Sequence, residues 1–89
     1  MAKKRRKLNK DFEKKIYSSK KNVELVLAKI YDIDDEDIQK EYMSAFNKVV
    51  SLYDELKDDY DQQGFSDNSE ELLTGYKNAF NLFESEFEI

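Results

Sequence analysis

The sequence predicts an all-α fold, a small three-helix antiparallel bundle with a long central helix and a basic N-terminal arm. Three observations predict it. Pro is absent, Gly occurs twice and 39% of residues are charged, a composition suited to helices joined by short polar turns. Apolar residues recur in steps of three and four along three separate segments, which is the period of one helix face. The 89 residues make one domain, near the lower end of what folds unaided. No alternation of period two is long enough to read as a strand, and no internal repeat is visible.

Residues 35 to 60 form the central segment. Ile38, Tyr42, Ala45, Val49, Leu52 and Leu56 lie on one line, Phe46, Tyr53 and Tyr60 on a second beside it, and Met43 and Val50 widen the face further. This face is broader than the stripe of a surface helix, so it needs cover from two sides. One flanking helix before it and one after provide that cover.

In chain order, residues 1 to 10 read as a flexible basic arm and residues 11 to 89 as a single helical domain. Lys3, Lys4, Arg5, Arg6 and Lys7 are consecutive, and like charges in a row repel, so the arm alone frays in water. The first helix begins near Asn9 to Asp11 and ends near Tyr31, with Phe12, Ile16, Ser19, Val23, Val26, Ile30 and Ile33 on its stripe. Ser19 interrupts that stripe, and a kink or a cap at Ser19 or Asn22 is one reading of it. Asp34 or Asp35 caps the central helix, with Glu36 and Asp37 at its positive end. Gly64 suits the second turn. Asp67 followed by Glu70 reads as a cap for the last helix, whose face carries Leu72, Leu73, Tyr76, Ala79, Phe80, Leu82, Phe83 and Phe87. Gly75 inside it suggests a close helix crossing.

The net charge of −5 conceals a separation. Residues 1 to 29 hold eleven basic and three acidic residues, a local net of +8, and residues 30 to 89 hold four and seventeen, a net of −13. Two kinds of surface follow. Lys3, Lys4, Arg5, Arg6, Lys7, Lys10, Lys14, Lys15 and Lys21 are candidate nucleic-acid contacts, because clustered cations bind phosphate. The same run also reads as a solubilising tail, or as an arm that docks on an acidic protein surface. Asp54, Glu55, Asp58, Asp59 and Asp61 crowd the C-terminal turns of the central helix, where the helix dipole favours cations. A local rule broken so often points to a partner-binding surface.

Catalysis has little to work with. His and Cys are absent, which removes the usual general base and the thiol nucleophile. No Gly-rich segment is present to cradle phosphate. The sequence therefore predicts no enzyme, no catalytic residue, no cofactor and no metal site. Without Cys there is no disulfide, so a core of this size is stabilised by only about 3–5 kcal/mol, and a second copy of the chain is a candidate partner. No apolar run reaches a membrane span and no secretory signal is visible, so the expected location is cytoplasmic.

Residues 59 to 70 read Asp59-x-Asp61-x-Gln63-Gly64-x-x-Asp67-x-x-Glu70. This resembles the twelve-residue calcium loop of the EF-hand family, which would imply a calcium-responsive module. Gln63 and Ser66 depart from that pattern, and a capped connection between two helices is the favoured reading. In size and charge the chain also resembles small phage-encoded inhibitors, including anti-CRISPR proteins. The expected function is therefore a non-enzymatic regulator or inhibitor that docks its acidic helical surface on a basic site of a nucleic-acid-handling partner. The alternatives are a nucleic-acid-binding accessory protein that uses the basic arm, and the calcium-responsive module.

Overall fold

The computed structural model describes residues 7–87, so Lys3, Lys4, Arg5, Arg6 and Glu88 lie outside the described residues. The chain folds as α1 (Lys10–Tyr31), α2 (Glu36–Gln63) and α3 (Asp67–Glu86). The bundle measures 57 × 21 × 18 Å. Contacts between the start of α1 and the end of α2, and between the start of α2 and the end of α3, make successive helices antiparallel.

Each helix starts where a side chain can satisfy its unpaired N–H groups. The Asn9 side chain accepts from Phe12 N at 3.0 Å, and Asp35 Oδ1 accepts from Asp37 N and Ile38 N. The third cap differs from expectation. Ser66, not Asp67, caps α3, and Ser69, not Glu70, closes the box: Ser66 N donates to Ser69 Oγ at 2.8 Å and Ser69 N to Ser66 Oγ at 3.2 Å. Ser69 is fully buried. Its hydroxyl must find a partner nearby, and the box provides one. Asp67 and Glu70 then fall in the first turn, where the dipole favours them.

The core is α2 with a cover on each flank. Phe46, Leu56 and Val49 are essentially inaccessible, and Ile30 of α1 closes the far end. On the α3 side the cover is aromatic: Tyr42 meets Phe83 and Phe87, Phe46 meets Phe80 and Phe83, and Tyr53 meets Tyr76. Most of these rings meet edge to face or tilted, an arrangement favoured by the ring quadrupole. The α1 cover is largely aliphatic, through Ile16, Val23, Val26 and Ile30, with Phe12 at the end against Tyr60 and Phe65. Ile38 and Leu82, both on expected apolar faces, are exposed instead. Ile38 lies in the first turn of α2 and Leu82 on the outward side of α3.

Ser19 does not break α1. The helix is continuous, and Ser19 Oγ donates back to Lys15 O at 2.8 Å. Its small side chain lets α3 approach, and the Tyr76 hydroxyl donates to Ser19 O at 3.2 Å. This polar tie joins the two outer helices. Burial pushes the Tyr76 and Tyr53 hydroxyls above the ordinary value of 10.0, because the phenolate is poorly solvated there. The Tyr53 hydroxyl is buried without a hydrogen-bond partner among the described residues.

Tyr60 fixes the entry of the chain. Its hydroxyl accepts from Asn9 N at 3.0 Å and donates to Glu13 Oε2 at 2.6 Å. Just upstream, Lys7 O accepts from Phe65 N at 2.6 Å, and the Lys7 ammonium lies 5.8 Å from the centre of the Phe65 ring. Residues 7 to 9 thus run along the turn between α2 and α3. Gly64 makes that turn with φ at 78° and ψ at −162°, a backbone region essentially restricted to Gly. Gly75, in contrast, marks no close crossing. A methyl group there would meet nothing within 4 Å.

Two outcomes test this account. Tyr60→Phe removes the hydroxyl's bonds to Asn9 and Glu13 and should lower stability by about 1–3 kcal/mol. Chemical denaturation measures the loss, and faster hydrogen exchange at the Phe65 amide shows that residues 7 to 9 have been released. Gly75→Ala should stabilise the protein by about 1 kcal/mol, because the site is open and α3 gains the better helix former. A rise in melting temperature checks it.

Candidate functional site

The outward face of α2 gathers four of the five predicted acidic residues. Asp54, Glu55, Asp58 and Asp61 line one shallow hollow together with Lys57. They come together because they fall at i, i+1, i+4 and i+7 of one helix, on the side opposite the core. Lys57 is the cation among them. Its ammonium contacts Asp61 Oδ2 at 2.9 Å, and that hydrogen bond and charge raise the Lys57 pKa above the ordinary 10.5. Asp58 accepts a long contact of 3.4 Å from Gln62 Nε2. Around them α2 exposes only polar groups, Asn47 and Ser51 included.

Asp59 stands apart from the other four. It points toward α3, where Oδ1 accepts from Asn68 Nδ2 at 3.0 Å and Oδ2 is buried. One residue's offset along a helix turns a side chain by about 100°, enough to move Asp59 off the outward face. The calcium-loop pattern has no loop to occupy. Asp59 and Asp61 are helical in α2, Asp67 and Glu70 are helical in α3, and only Gly64, Phe65 and Ser66 lie between the helices. An EF-hand needs its first ligands on an irregular backbone that can wrap an ion. Among the described residues no three acidic side chains lie close enough to hold a metal.

The basic residues divide between two sides of α1. Lys10 and Lys21 are exposed on its outer surface, with Lys14 exposed at the border between the two sides, and the Lys21 ammonium lies 5.1 Å from the centre of the Tyr17 ring. Lys15 instead faces α3. There the outer helices enclose a cleft of about 600 Å³ whose rim carries Lys14, Lys15, Lys29 and Lys77 against one acid, Glu84. Leu25, Val26, Tyr76 and Phe80 supply its apolar lining. Sequence reasoning missed this cleft, although a signal was present. Lys15, Asn22 and Lys29 are spaced seven apart on α1, and Lys77 and Glu84 repeat that spacing on α3. Nothing in the sequence alone placed those two lines face to face.

Comparison with protein-family models, curated proteins and solved structures finds no match. The function must therefore be argued from the surfaces themselves.

The acidic face carries a stability cost that can be measured. Asp58 sits three or four residues from Asp54, Glu55 and Asp61, each a like-charge pair on the helix surface. Asp58→Lys should raise stability by about 0.5 kcal/mol, or roughly 2–4 °C in melting temperature. A fall instead would show that the carboxylates support the fold.

Proposed function

We propose that this protein is a non-enzymatic interaction module whose acidic α2 face docks on a basic surface of a partner that handles nucleic acid. One observation carries the reading. Asp54, Glu55, Asp58 and Asp61 share one outward hollow at the end of α2 where the dipole favours cations, and a single lysine accompanies them. Carboxylates fixed on a rigid helix present a row of negative charge at low entropic cost. Such a row competes with a phosphate backbone for a basic site and steers encounter over several ångströms. The packing beneath supports the reading, since Tyr53 and Leu56 beside these residues on α2 are buried and hold the helix in place. On this reading the protein regulates or inhibits its partner by occupying the partner's basic site.

A second reading rests on α1. Lys10, Lys14 and Lys21 form an exposed line on α1, downstream in sequence of the basic run Lys3 to Lys7, a footprint suited to a nucleic-acid backbone. Among the described residues no helix is long and apolar enough to cross a membrane.

Affinity capture with the full chain and with a D54K/D58K variant of unchanged helicity separates the two. The acidic-face reading expects wild type to retain basic, nucleic-acid-handling proteins after nuclease treatment, and expects the variant to lose them. Equal capture by both proteins overturns it. Capture that disappears on nuclease treatment supports the α1 reading instead.

A further inference from the structure

We propose that the cleft between α1 and α3 is a second docking site, and that it takes an amphipathic helix from another protein with acidic residues along its polar flanks. The site exists because α2 covers both outer helices and leaves them apart on the opposite side. Tyr76 spans them through its bond to Ser19 O. Above that bond lies the cleft of about 600 Å³.

Shape and lining select a helix. Lys14 and Lys29 mark the cleft's two ends on α1, and fifteen residues of helix span about 22 Å. A partner helix of about four turns therefore matches its length, and would complete a four-helix arrangement. Leu25 is 61% exposed at the edge of the cleft, and half-buried Phe80 lies opposite on α3. Apolar anchors at i, i+3, i+4 and i+7 of a partner fill such a strip.

Charge selects the sign of the partner. Lys14, Lys15 and Lys77 cluster at one end, Lys29 stands at the other, and Glu84 is the lone acid. A helix flanked by Asp and Glu is complementary to this rim, and a basic helix is repelled. A second copy of this chain fits poorly. Cleft against cleft sets lysine against lysine, and the acidic face of α2 brings no apolar side chain to the floor. Nucleic acid would meet the lysines but not the floor. Tyr76 is only 3% exposed, and the half-buried Phe80 ring packs against Phe46 and Tyr76, so the cleft has no row of exposed rings for successive bases to stack on.

The test titrates the full chain with four labelled probes and follows fluorescence anisotropy at fixed salt. They are a fifteen-residue amphipathic peptide with Leu anchors and Asp/Glu flanks, the same peptide with Leu replaced by Gln, the same peptide with its acids replaced by Lys, and a single-stranded oligonucleotide of matching charge. The first should bind saturably and at least roughly tenfold more tightly than the other three. Leu25→Asp, at an exposed position, and the pair Lys15→Glu with Lys77→Glu should each weaken it roughly tenfold or more while helicity is retained. No binding of the first peptide overturns the proposal. Equal binding of the Gln peptide, or tighter binding of the oligonucleotide, overturns it too, the latter in favour of a nucleic-acid surface. D54K/D58K should leave peptide binding unchanged, so failure here is distinct from failure of the acidic-face reading.

Discussion

The width of α2's apolar face is the constraint on which the rest of the structure depends. A helix with aromatic and aliphatic groups over so much of its circumference cannot leave them in water. At about 25 cal/mol per Å², the burial of Phe46, Val49, Tyr53, Leu56 and Tyr60 dominates whatever stability so small a chain can have. Two covers are required, and the chain supplies one from each end. α2 packs more extensively against α3 than against α1. The ring pairs on the α3 side bring their surfaces into register, whereas the smaller aliphatic groups of α1 make a thinner seam.

The outer helices are thereby relieved of packing closely on each other. Their polar tie runs from the Tyr76 hydroxyl to Ser19 O, and the position that looks weakest in α1's stripe turns out to permit it. A leucine at position 19 would push α3 away and leave a buried phenol without an acceptor. At the end of the bundle where α1 begins, the Tyr60 hydroxyl serves Asn9 and Glu13 together. Both sites follow the same rule: where apolar contact is thin, a buried tyrosine hydroxyl fixes one helix to another.

Three helices, their antiparallel order and the core face of α2 were legible in the sequence, because each rests on local periodicity that tertiary packing reinforces. The details that escaped were those set by neighbours distant in sequence. Asp67 and Glu70 resemble a cap and its box as well as Ser66 and Ser69 do; burial of Ser69 decides between them. Gly75 looked like a contact point, but the space beside it is open. The acidic cluster was visible, but the turn of Asp59 toward Asn68 depends on where α3 lies. The lysine-rimmed cleft was harder still. It combines Lys15 and Lys29 with Lys77, about fifty residues or more away in sequence, and helix-to-helix rotation cannot be read from either segment alone.

Charge is where stability and function separate. A chain selected for stability alone would place its cations at the end of α2 and its acids at the start. The start obeys this, with Glu36 and Asp37 in the first turn, while the last turn of α2 carries no basic residue at all. Yet cations are abundant in the sequence, and many lie on the exposed surface of α1 and along its cleft with α3. The helix dipole at each terminus is worth only about 0.3–1 kcal/mol, so under the proposed function the cost of an acidic C-terminal end is small beside a docking surface of one sign. Segregation leaves the outward end of α2 acidic and places most of the described lysines on α1.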